Sequence, residues 1–295
     1  MDPISKALER ATQDQQSVRD WVRPGSSSSQ PSPLLGVRKP PRKVSLDPKV
    51  LHANHLLCGG PDEDQVVTDK YRLLRTRILQ IMQAQGWNSL GVTSPGVKAG
   101  KSVTSINLAL SMARQDNHRI VLVDADIRRP SVAKYMGIDT TGGLPDFLSG
   151  KLPIDEVLVE FDNLPRLAVL PGGHDWETGP TPELLKSSLI RDLMQSASNP
   201  ADPTVFLVDL PPVLIGDDVI SVAANLDALL IVVDESSTDI DDLKQTVELL
   251  ADFNVVGTVL NKSTEKPRDH EGYYQYYREE DARNSASPDE EQPGK

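Results

Sequence analysis

The stretch from residue 89 to 110, SLGVTSPGVKAGKSVTSINLAL, constrains the fold of this chain more than any other. An apolar run at residues 90–93 is followed by a loop rich in Gly and Pro, and then by Gly100, Lys101 and Ser102. After this loop, apolar residues recur with the 3.6-residue period of a helix. A strand, GK[ST] and a helix in this order are typical of a phosphate-binding loop.

The residue types in the loop suit a bound nucleotide. Backbone N–H groups at a helix N-terminus point at a phosphate, and the helix dipole favours negative charge there. Gly100 allows close approach, Lys101 places a charge on the outer phosphates, and the Ser102 hydroxyl can complete the coordination of Mg²⁺. The loop departs from G-x-x-x-x-G-K-[ST] because Pro95 occupies the first glycine position. The predicted nucleotide-binding residues here are Gly96, Val97, Lys98, Ala99, Gly100, Lys101, Ser102 and Val103.

Short apolar runs and helical patterns alternate through the rest of the chain. The runs are residues 120–123, 167–170, 205–208, 228–233 and 255–260. The helical patterns are residues 64–85, 103–115, 182–196, 220–225 and 240–252. Apolar, β-branched strands that alternate with helices predict an α/β fold with a doubly wound, mostly parallel sheet flanked by helices. Ligands bind such sheets at the carboxyl ends of the strands.

Three acidic residues stand at predicted strand ends. IVLVDAD places Asp124 and Asp126 after one strand, and VFLVDLPP places Asp209 after another. A carboxylate at this position, beside a phosphate loop, can hold Mg²⁺ directly or through water. One such Asp could merely cap a strand, but two in phase with the GKS strand predict a magnesium site.

Charge and cysteine content exclude several classes of protein. A formal net charge of -12 argues against nucleic acid as the main partner. Cys58 is the single cysteine, so no intrachain disulfide is possible, which fits a reducing compartment. No apolar run approaches the roughly 18 residues that span a bilayer, and no secretory signal is evident. We therefore expect a cytoplasmic protein, although docking on a membrane protein stays possible.

The chain divides into four predicted parts. A short helix is predicted at residues 1–20. This helix is either a docking element for a partner or a frayed terminus. The Ser- and Pro-rich residues 21–60 predict a disordered linker. Residues 61–264 form the predicted globular domain. The acidic tail at 265–295 is predicted to be disordered, and it holds four of the six tyrosines.

The predicted helix at 64–85 has two distinct faces. Tyr71, Leu74, Ile78 and Met82 form an apolar stripe. Asp69, Arg72 and Arg75 are three residues apart and form a charged patch elsewhere on the helix. Such a patch indicates either a contact with another copy or an ordinary solvated face.

Together these motifs resemble the bacterial tyrosine kinase family of capsule and exopolysaccharide systems, in its cytoplasmic catalytic-domain form. The resemblance covers roughly residues 64–277. It is carried by the phosphate loop, VLVDADIRRP, VDLPP, GGLPDFLSG, TPELLKSS and GTVLNKS. The motif Asp69-x-x-Arg72-x-x-Arg75 resembles the family's E-x-x-R-x-x-R oligomerisation motif. The tyrosines of the tail resemble the family's autophosphorylated cluster. The N-terminal helix and linker resemble members from exosortase-type export systems.

The resemblance implies a P-loop NTPase fold like that of ParA and MinD, with ATP and Mg²⁺ as cofactors. It implies that Lys101 binds the β- and γ-phosphates and that Asn261 contacts the adenine. Asp124 would be the Walker A′ aspartate, which accepts the tyrosine proton, with Asp126 supporting it, and Asp209 would be the Walker B aspartate. The implied metal ligands are Ser102, Asp124 and Asp209.

The resemblance also implies a substrate and partners. A neighbouring subunit would supply the phosphate acceptor, which is one of Tyr273, Tyr274, Tyr276 and Tyr277. Asp69, Arg72 and Arg75 would join the subunits into a ring-like homo-oligomer. A transmembrane polysaccharide co-polymerase would activate the kinase at the inner face of the membrane, and a cognate phosphatase would reverse the modification.

Two alternatives stay open from the residues. One is a regulatory ATPase like ParA or MinD, which transfers phosphate to water. The tyrosine-rich tail counts against it, as does the lack of that group's signature lysine. The other is a nucleotide-binding scaffold of a polymer-export complex with little catalysis.

Overall fold

We describe the fold from a computed structural model of the chain. The described residues are 41–60, 63–115, 118–173, 184–185, 188–196, 203–216 and 218–264. The predicted N-terminal helix, residues 21–40 of the predicted linker and the tyrosine-rich tail lie outside them.

The described elements alternate between strands and helices along the chain. In order, they are β1 (Arg42–Val44), α1 (Pro48–Ala53), α2 (Gln65–Gln85), β2 (Ser89–Thr93), α3 (Lys101–Gln115), β3 (Arg119–Asp124), α4 (Val132–Met136), α5 (Leu144–Leu148), α6 (Ile154–Val157), β4 (Val159–Phe161), β5 (Leu167–Leu170), α7 (Ser188–Gln195), β6 (Thr204–Asp209), a 3₁₀ turn (Val213–Ile215), α8 (Asp218–Ala223), β7 (Ala228–Asp234), α9 (Ile240–Leu249) and β8 (Val255–Asn261).

All eight described strands form one sheet in the order β1-β4-β5-β3-β6-β2-β7-β8. Every neighbouring pair is parallel except β4 and β5. The chain starts the large parallel block at β2 and then adds strands on both sides of it. This confirms the predicted doubly wound, mostly parallel α/β sheet.

Apolar layers cover both faces of the sheet. Ile78 of α2 and Ile106 of α3 are buried on one face, and Phe147 of α5 is buried on the other. The central strands are buried on both faces, as Leu90 and Val92 with 0% exposure illustrate. Each fully buried Leu, Ile or Val contributes about 1.5–3 kcal/mol relative to its exposed state, so these strands anchor the whole domain.

The prediction of a disordered linker over residues 21–60 is wrong for its last part, residues 41–60. There β1 pairs with β4, and α1 begins after Asp47, whose side chain accepts a hydrogen bond from the Lys49 N–H. Pro48 suits the first turn of a helix, where its missing N–H costs nothing. Leu51 and Leu57 are buried in the main core. Proline content predicts a linker here, but Pro48 begins a helix in the folded chain.

The sequence also missed the short elements. β4 has three residues and α4, α5 and α6 have four or five each, too few for a period to be recognised. The predicted strands match β2, β3, β5, β6, β7 and β8 to within one residue at each end, whereas the helical pattern at 182–196 begins six residues before α7. Within the described part of the chain, no helix is both long enough and apolar enough to cross a membrane.

Candidate nucleotide-binding site

The predicted site residues meet at the carboxyl ends of the parallel strands. The phosphate loop follows β2, and β6 and β3 lie on one side of it. Asp124 at the end of β3 is the direct register partner of Asp209 at the end of β6. Adjacent strands lie about 4.8 Å apart, so this register brings two carboxylates side by side. On the other side of β2, β7 ends at Asp234 and β8 ends at Asn261.

Lys101 joins the phosphate loop to the acidic residues. Its Nζ lies 2.9 Å from Asp126 Oδ2 and 3.6 Å from Asp209 Oδ2, and its side chain is 11% exposed. Burial alone would lower the pKa of Lys101, but the charges of Asp209 and Asp126 outweigh it and raise that pKa. Lys101 is therefore a fixed cation at this site.

Two serine hydroxyls contact the Asp209 carboxylate, and a third contacts one of those two serines. Ser102 Oγ donates to Asp209 Oδ2 at 2.6 Å, and Ser105 Oγ, one helical turn later, lies 3.1 Å from Asp209 Oδ1. Ser131 Oγ lies 2.9 Å from Ser102 Oγ. Burial raises the pKa of Asp209, while Lys101 and Ser102 act in the opposite direction. These contacts hold Asp209 beneath the start of α3.

Asp124 is fully buried, and only one of its two carboxylate oxygens accepts hydrogen bonds from the described residues. Its Oδ2 accepts hydrogen bonds from the N–H groups of Ser131 and Val132 at 2.8 and 3.0 Å. Its Oδ1 is buried and has no hydrogen-bond partner among the described residues. Burial, followed by the charge of Asp209, raises the pKa of Asp124 to about 7. A buried carboxylate oxygen without a donor carries a free-energy cost that a bound cation would remove.

This arrangement fits Mg²⁺. The described residues contain no group of three or more His, Cys, Asp or Glu side chains that could hold a metal by themselves. Mg²⁺ usually binds one or two carboxylates together with substrate phosphates and water. The Ser102 hydroxyl, the Asp209 carboxylate and the free oxygen of Asp124 supply the matching protein oxygens. The predicted metal residues therefore lie together, and the metal's remaining ligands would come from the nucleotide.

The end of β8 fastens the phosphate loop. Asn261 Nδ2 donates to the carbonyl oxygen of Ala99 at 2.8 Å, and Lys262 Nζ donates to that of Lys98 at 2.7 Å. Lys262 also contacts Asp234 Oδ2 at 2.7 Å, and this hydrogen bond, with others from Ser236, lowers the pKa of Asp234. We call Asn261, Lys262 and Asp234 the strand-end clamp.

The backbone of the phosphate loop packs closely against the strand-end clamp. Gly100 has φ +90°, and a Cβ there would collide with Asn261 Nδ2. Lys98 and Lys262 both take left-handed conformations, with φ 62° and 56°. Such conformations persist where surrounding contacts hold them. Two loop carbonyl oxygens thus accept hydrogen bonds from the end of β8. The contact between Asn261 and adenine stays a prediction.

Removing the clamp is expected to weaken nucleotide binding. Hydrogen bonds to charged groups contribute about 1.5–3 kcal/mol, so Lys262→Ala should raise the Kd for Mg-ADP roughly 10-fold or more. Asp234→Asn should act in the same direction, although Asp234 does not line the cavity. Isothermal titration calorimetry measures both. Lys244→Ala, which removes an exposed lysine paired with Asp241, is the matched control. Unchanged Kd values in both clamp variants would contradict this role.

A cavity of about 630 Å³ opens above these residues. Its walls include the phosphate loop from Val97 to Val103, the segment after β3, and the 3₁₀ turn after β6. Pocket volumes of about 300–1,000 Å³ are usual for small-molecule and cofactor sites. The volume of this cavity lies within that range.

The three predicted oligomerisation residues differ in their contacts. Arg72 Nη1 and Asp69 Oδ1 are 3.1 Å apart, with side chains 48% and 34% exposed. Arg75 instead donates to the carbonyl oxygen and the hydroxyl of Ser111 on α3, at 3.1 and 3.3 Å. Asp69 and Arg72 thus form an exposed pair, whereas Arg75 links two helices within the domain.

Some site residues escaped the sequence analysis. Asp234 ends an apolar strand just as Asp124 and Asp209 do, so the same rule would have found it. Ser105 lies three residues after Ser102 and shares its helix face, which helical spacing predicts. Ser131 had no sequence signal, because its role comes from the turn that follows β3.

Comparison with known proteins agrees with this geometry. A family model described as ParA, NUBPL iron-transfer P-loop NTPase, matches residues 88–291. Tyrosine-protein kinase ptk of Acinetobacter johnsonii is 29% identical over 202 residues, which are 68% of this chain and 27% of that protein. Tyrosine-protein kinase YwqD of Bacillus subtilis strain 168 is 29% identical over 210 residues, 70% of this chain and 86% of that protein.

Solved structures show the same fold. The kinase domain of Escherichia coli tyrosine kinase ETK superposes with a TM-score of 0.60 at 23% identity, over 68% of this chain and 79% of that domain. The chain spans 26–27% of the length of the first curated kinases that it matches. The family model covers well over half of the chain, and its fold and phosphate loop are present in the structure. This chain therefore belongs to the ParA family of P-loop NTPases.

Proposed function

We propose that this protein is an ATP-dependent protein-tyrosine kinase that phosphorylates the tyrosine cluster of its own C-terminal tail in trans, and so regulates polymerisation and export of an exopolysaccharide or capsule. One observation supports it most: the buried Asp124 carboxyl, beside Asp209 in the sheet register, has one oxygen without a hydrogen-bond partner among the described residues. Such an oxygen can accept a proton or bind Mg²⁺. The names of the matched relatives support the same activity.

In this proposal the residues act mainly by position and charge. Lys101 binds the β- and γ-phosphates, and the N–H groups of the loop cradle them. Asp124 accepts the proton of the attacking tyrosine hydroxyl, and Asp126 holds Lys101 in place. Ser102, Asp124 and Asp209 hold Mg²⁺, which when bound neutralises charge on the phosphate oxygens. Phosphoryl transfer then joins the tyrosine oxygen to the γ-phosphorus as the bond to ADP breaks.

The tail supplies the substrate in this proposal. Tyr273, Tyr274, Tyr276 and Tyr277 lie within five consecutive residues of a polar, acidic stretch. Each phosphate adds roughly -1.5 to -2 charge at pH 7. Several phosphates on a chain of net charge -12 would repel one another and the domain. Phosphorylation would therefore loosen an oligomer.

The decisive experiment is phosphate mapping. The purified full-length chain is incubated with Mg²⁺ and labelled ATP, and the labelled sites are found by mass spectrometry. Label on one or more of Tyr273, Tyr274, Tyr276 and Tyr277 is the expected result. A variant with phenylalanine at these four positions is the control and should stay unlabelled. Nucleotide binding without label or phosphate release would favour a scaffold instead.

A regulatory ATPase is the second candidate, favoured by the match to a ParA family model. It would use the same Lys101, Asp124 and Asp209, but water would take the place of tyrosine. Release of free phosphate without labelled protein in the experiment above would identify this activity.

We further propose that the exposed Asp69 and Arg72 pair joins copies of the chain into a ring-like oligomer. Arg72→Ala should shift the particle to a smaller size in size-exclusion chromatography with light scattering, because the exposed guanidinium is lost while the domain keeps its contacts. Arg75→Ala should instead lower thermal stability, because it breaks the contact with Ser111. An unchanged particle mass for Arg72→Ala, with Lys244→Ala as control, would contradict the proposed interface.

The remaining partners follow from the same proposal. A transmembrane polysaccharide co-polymerase would recruit the kinase to the inner face of the membrane and activate it. A cognate tyrosine phosphatase would remove the phosphates. Co-purification with membrane-protein fragments, with and without nucleotide, tests the first of these partners.

A further inference from the structure

A cluster of cations lies at the nucleotide cavity and extends beyond the phosphate loop. The cavity is lined by five of them, which are Lys98, Lys101, Arg128, Arg129 and Lys262. Among the described residues that line it, two are acidic, Asp126 and Asp218. Cationic side chains therefore outnumber acidic ones among the described lining residues, on a chain whose net charge is -12.

Ion pairs account for three of these cations. Lys101 pairs with Asp126 at 2.9 Å, and Lys262 pairs with Asp234 at 2.7 Å. Arg128 Nε pairs with Asp218 Oδ2 at 2.8 Å. Within the described part of the chain, the side chains of Lys98 and Arg129 have no ion-pair partner. Lys98 belongs to the phosphate loop, whereas Arg129 lies in the segment that follows β3.

The contact with Asp218 orients Arg128 outward. Asp218 is 5% exposed while Arg128 is 61% exposed, so the acid is buried and the guanidinium lies in solvent. The pair uses Nε of Arg128, and the structure shows no other side-chain hydrogen bond from it to the described residues. A guanidinium held in this way keeps its two η nitrogens available for a carboxylate or phosphate.

The two arginines are close to the reaction site but are not part of the phosphate loop. They follow Asp126, which contacts Lys101, by two and three residues. Their Cα atoms therefore lie at most about 7 to 11 Å from that of Asp126. Charges at this distance suit the part of a substrate next to the reacting group.

The tail carries a matching acidic run. Glu279, Glu280 and Asp281 follow Tyr277 by two to four residues. In an extended chain these acidic residues lie about 7 to 14 Å from Tyr277. This distance is similar to the distance of the two arginines from Asp126. We propose that Arg128 and Arg129 form a subsite that binds residues 279–281 of a second copy's tail when Tyr276 or Tyr277 is at the phosphates. This subsite rests on the proposed tail substrate.

The ion pair that holds Arg128 favours a peptide over the nucleotide as the ligand of these arginines. The phosphate loop already supplies Lys98, Lys101 and backbone N–H groups for the phosphates. Arg128 is anchored by Asp218 at the start of α8 and not by any loop residue. A peptide that enters from solvent meets these exposed side chains first.

Peptide binding tests the subsite without any phosphoryl transfer. The probe is a fluorescent peptide of residues 265–284 with phenylalanine at the four tyrosine positions, and the protein is the full-length chain with Mg-ADP. Fluorescence anisotropy should show Kd rising at least about 10-fold for Arg129→Gln and for Arg128→Gln, and falling affinity at high salt. Arg191→Gln, an exposed arginine on α7, should leave Kd unchanged.

A second peptide distinguishes loss of the charge contact from a general loss of peptide binding in the variants. With Glu279→Gln, Glu280→Gln and Asp281→Asn in the peptide, wild type should bind as weakly as the arginine variants, and these variants should lose nothing further. Equal binding of both peptides by wild type would overturn the proposal. A matching rise in the Kd for Mg-ADP in both variants would also overturn it, because the arginines would then serve the nucleotide.

Failure of the subsite and failure of the kinase proposal give different results. Charge-dependent peptide binding without tyrosine labelling would leave the subsite in place and reject the kinase. Labelled tyrosines with charge-independent binding would reject the subsite alone. Arg129 has no ion pair to lose among the described residues, so Arg129→Gln is expected to keep the wild-type melting temperature and provides the test if Arg128→Gln unfolds.

Discussion

Lys101→Met is expected to abolish labelling of the tail tyrosines. Lys101 is the buried cation between Asp126 and Asp209, and it is the side chain that would offset charge on the transferred phosphoryl group. Loss of one such preorganised group usually lowers kcat about 10²- to 10³-fold. Initial rates of label incorporation, measured at saturating Mg-ATP, check this directly.

The same substitution is expected to reduce stability. Removing one partner from a buried ion pair typically costs about 3–5 kcal/mol, because the remaining carboxylates lose their counter-charge. The activity assay should therefore be run well below the melting temperature of the variant, which differential scanning fluorimetry measures. Lys244→Met removes an exposed lysine and serves as the control. Labelling at more than a tenth of the wild-type rate in folded Lys101→Met protein would contradict the assigned role.

Asp124→Asn is expected to abolish phosphoryl transfer while making the nucleotide-free protein more stable at pH 8. Activity is lost because an amide neither accepts the tyrosine proton nor offers Mg²⁺ a charged ligand. Stability rises because Asp124 is buried beside Asp209, and its ionisation places a second negative charge there. The Asp124 carboxylate is therefore expected to be required for activity and to destabilise the nucleotide-free fold.

The contribution of Asp124 to the stability of the nucleotide-free protein decreases as the pH rises. The pKa of Asp124 is raised to about 7 in the fold, above its value in an unfolded chain. Its contribution to stability is thus fully present below about pH 4 and is lost as the pH rises through 7, by roughly 4 kcal/mol in total. Without nucleotide or Mg²⁺, the melting temperature of wild type should fall more between pH 5 and 8.5 than that of Asp124→Asn.

Ligand addition completes this test. Mg-ADP at 100 times its Kd should stabilise the wild type by about 2.7 kcal/mol and Asp124→Asn by much less. Asp241→Asn, at an exposed carboxylate, is the control for an effect of net charge alone. A nucleotide-free Asp124→Asn protein that melts below wild type at pH 8 would show that the buried carboxylate stabilises the fold.

Local patterns made much of the fold and site predictable. The strand, loop and helix around Lys101 are consecutive in the chain, so residue types alone place the lysine at a helix N-terminus. Asp124 and Asp209 each end an apolar run, and parallel strands bring their carboxyl ends to one edge of the sheet. The charged residues that face the phosphate loop could therefore be named from the sequence.

Other features depended on residues far apart in the chain. β1 is too short and too close to prolines to be recognised, and it exists because it pairs with β4 more than a hundred residues away. Arg75 shares a spacing with Arg72, but Ser111 of α3 binds it. Lys262 holds the carbonyl oxygen of Lys98 across 164 positions of sequence. No local pattern encodes these contacts.

By itself, the sequence determined the class of fold, the phosphate loop and the acidic residues that face it, because these follow from short-range periodicity and from residues next to one another. Only the tertiary structure decided which carboxyl groups are buried with raised pKa values, which arginines are exposed, and how the end of β8 holds the loop. Burial and charge pairing depend on which segments the folded chain brings together, and that is settled only when the whole sheet is assembled.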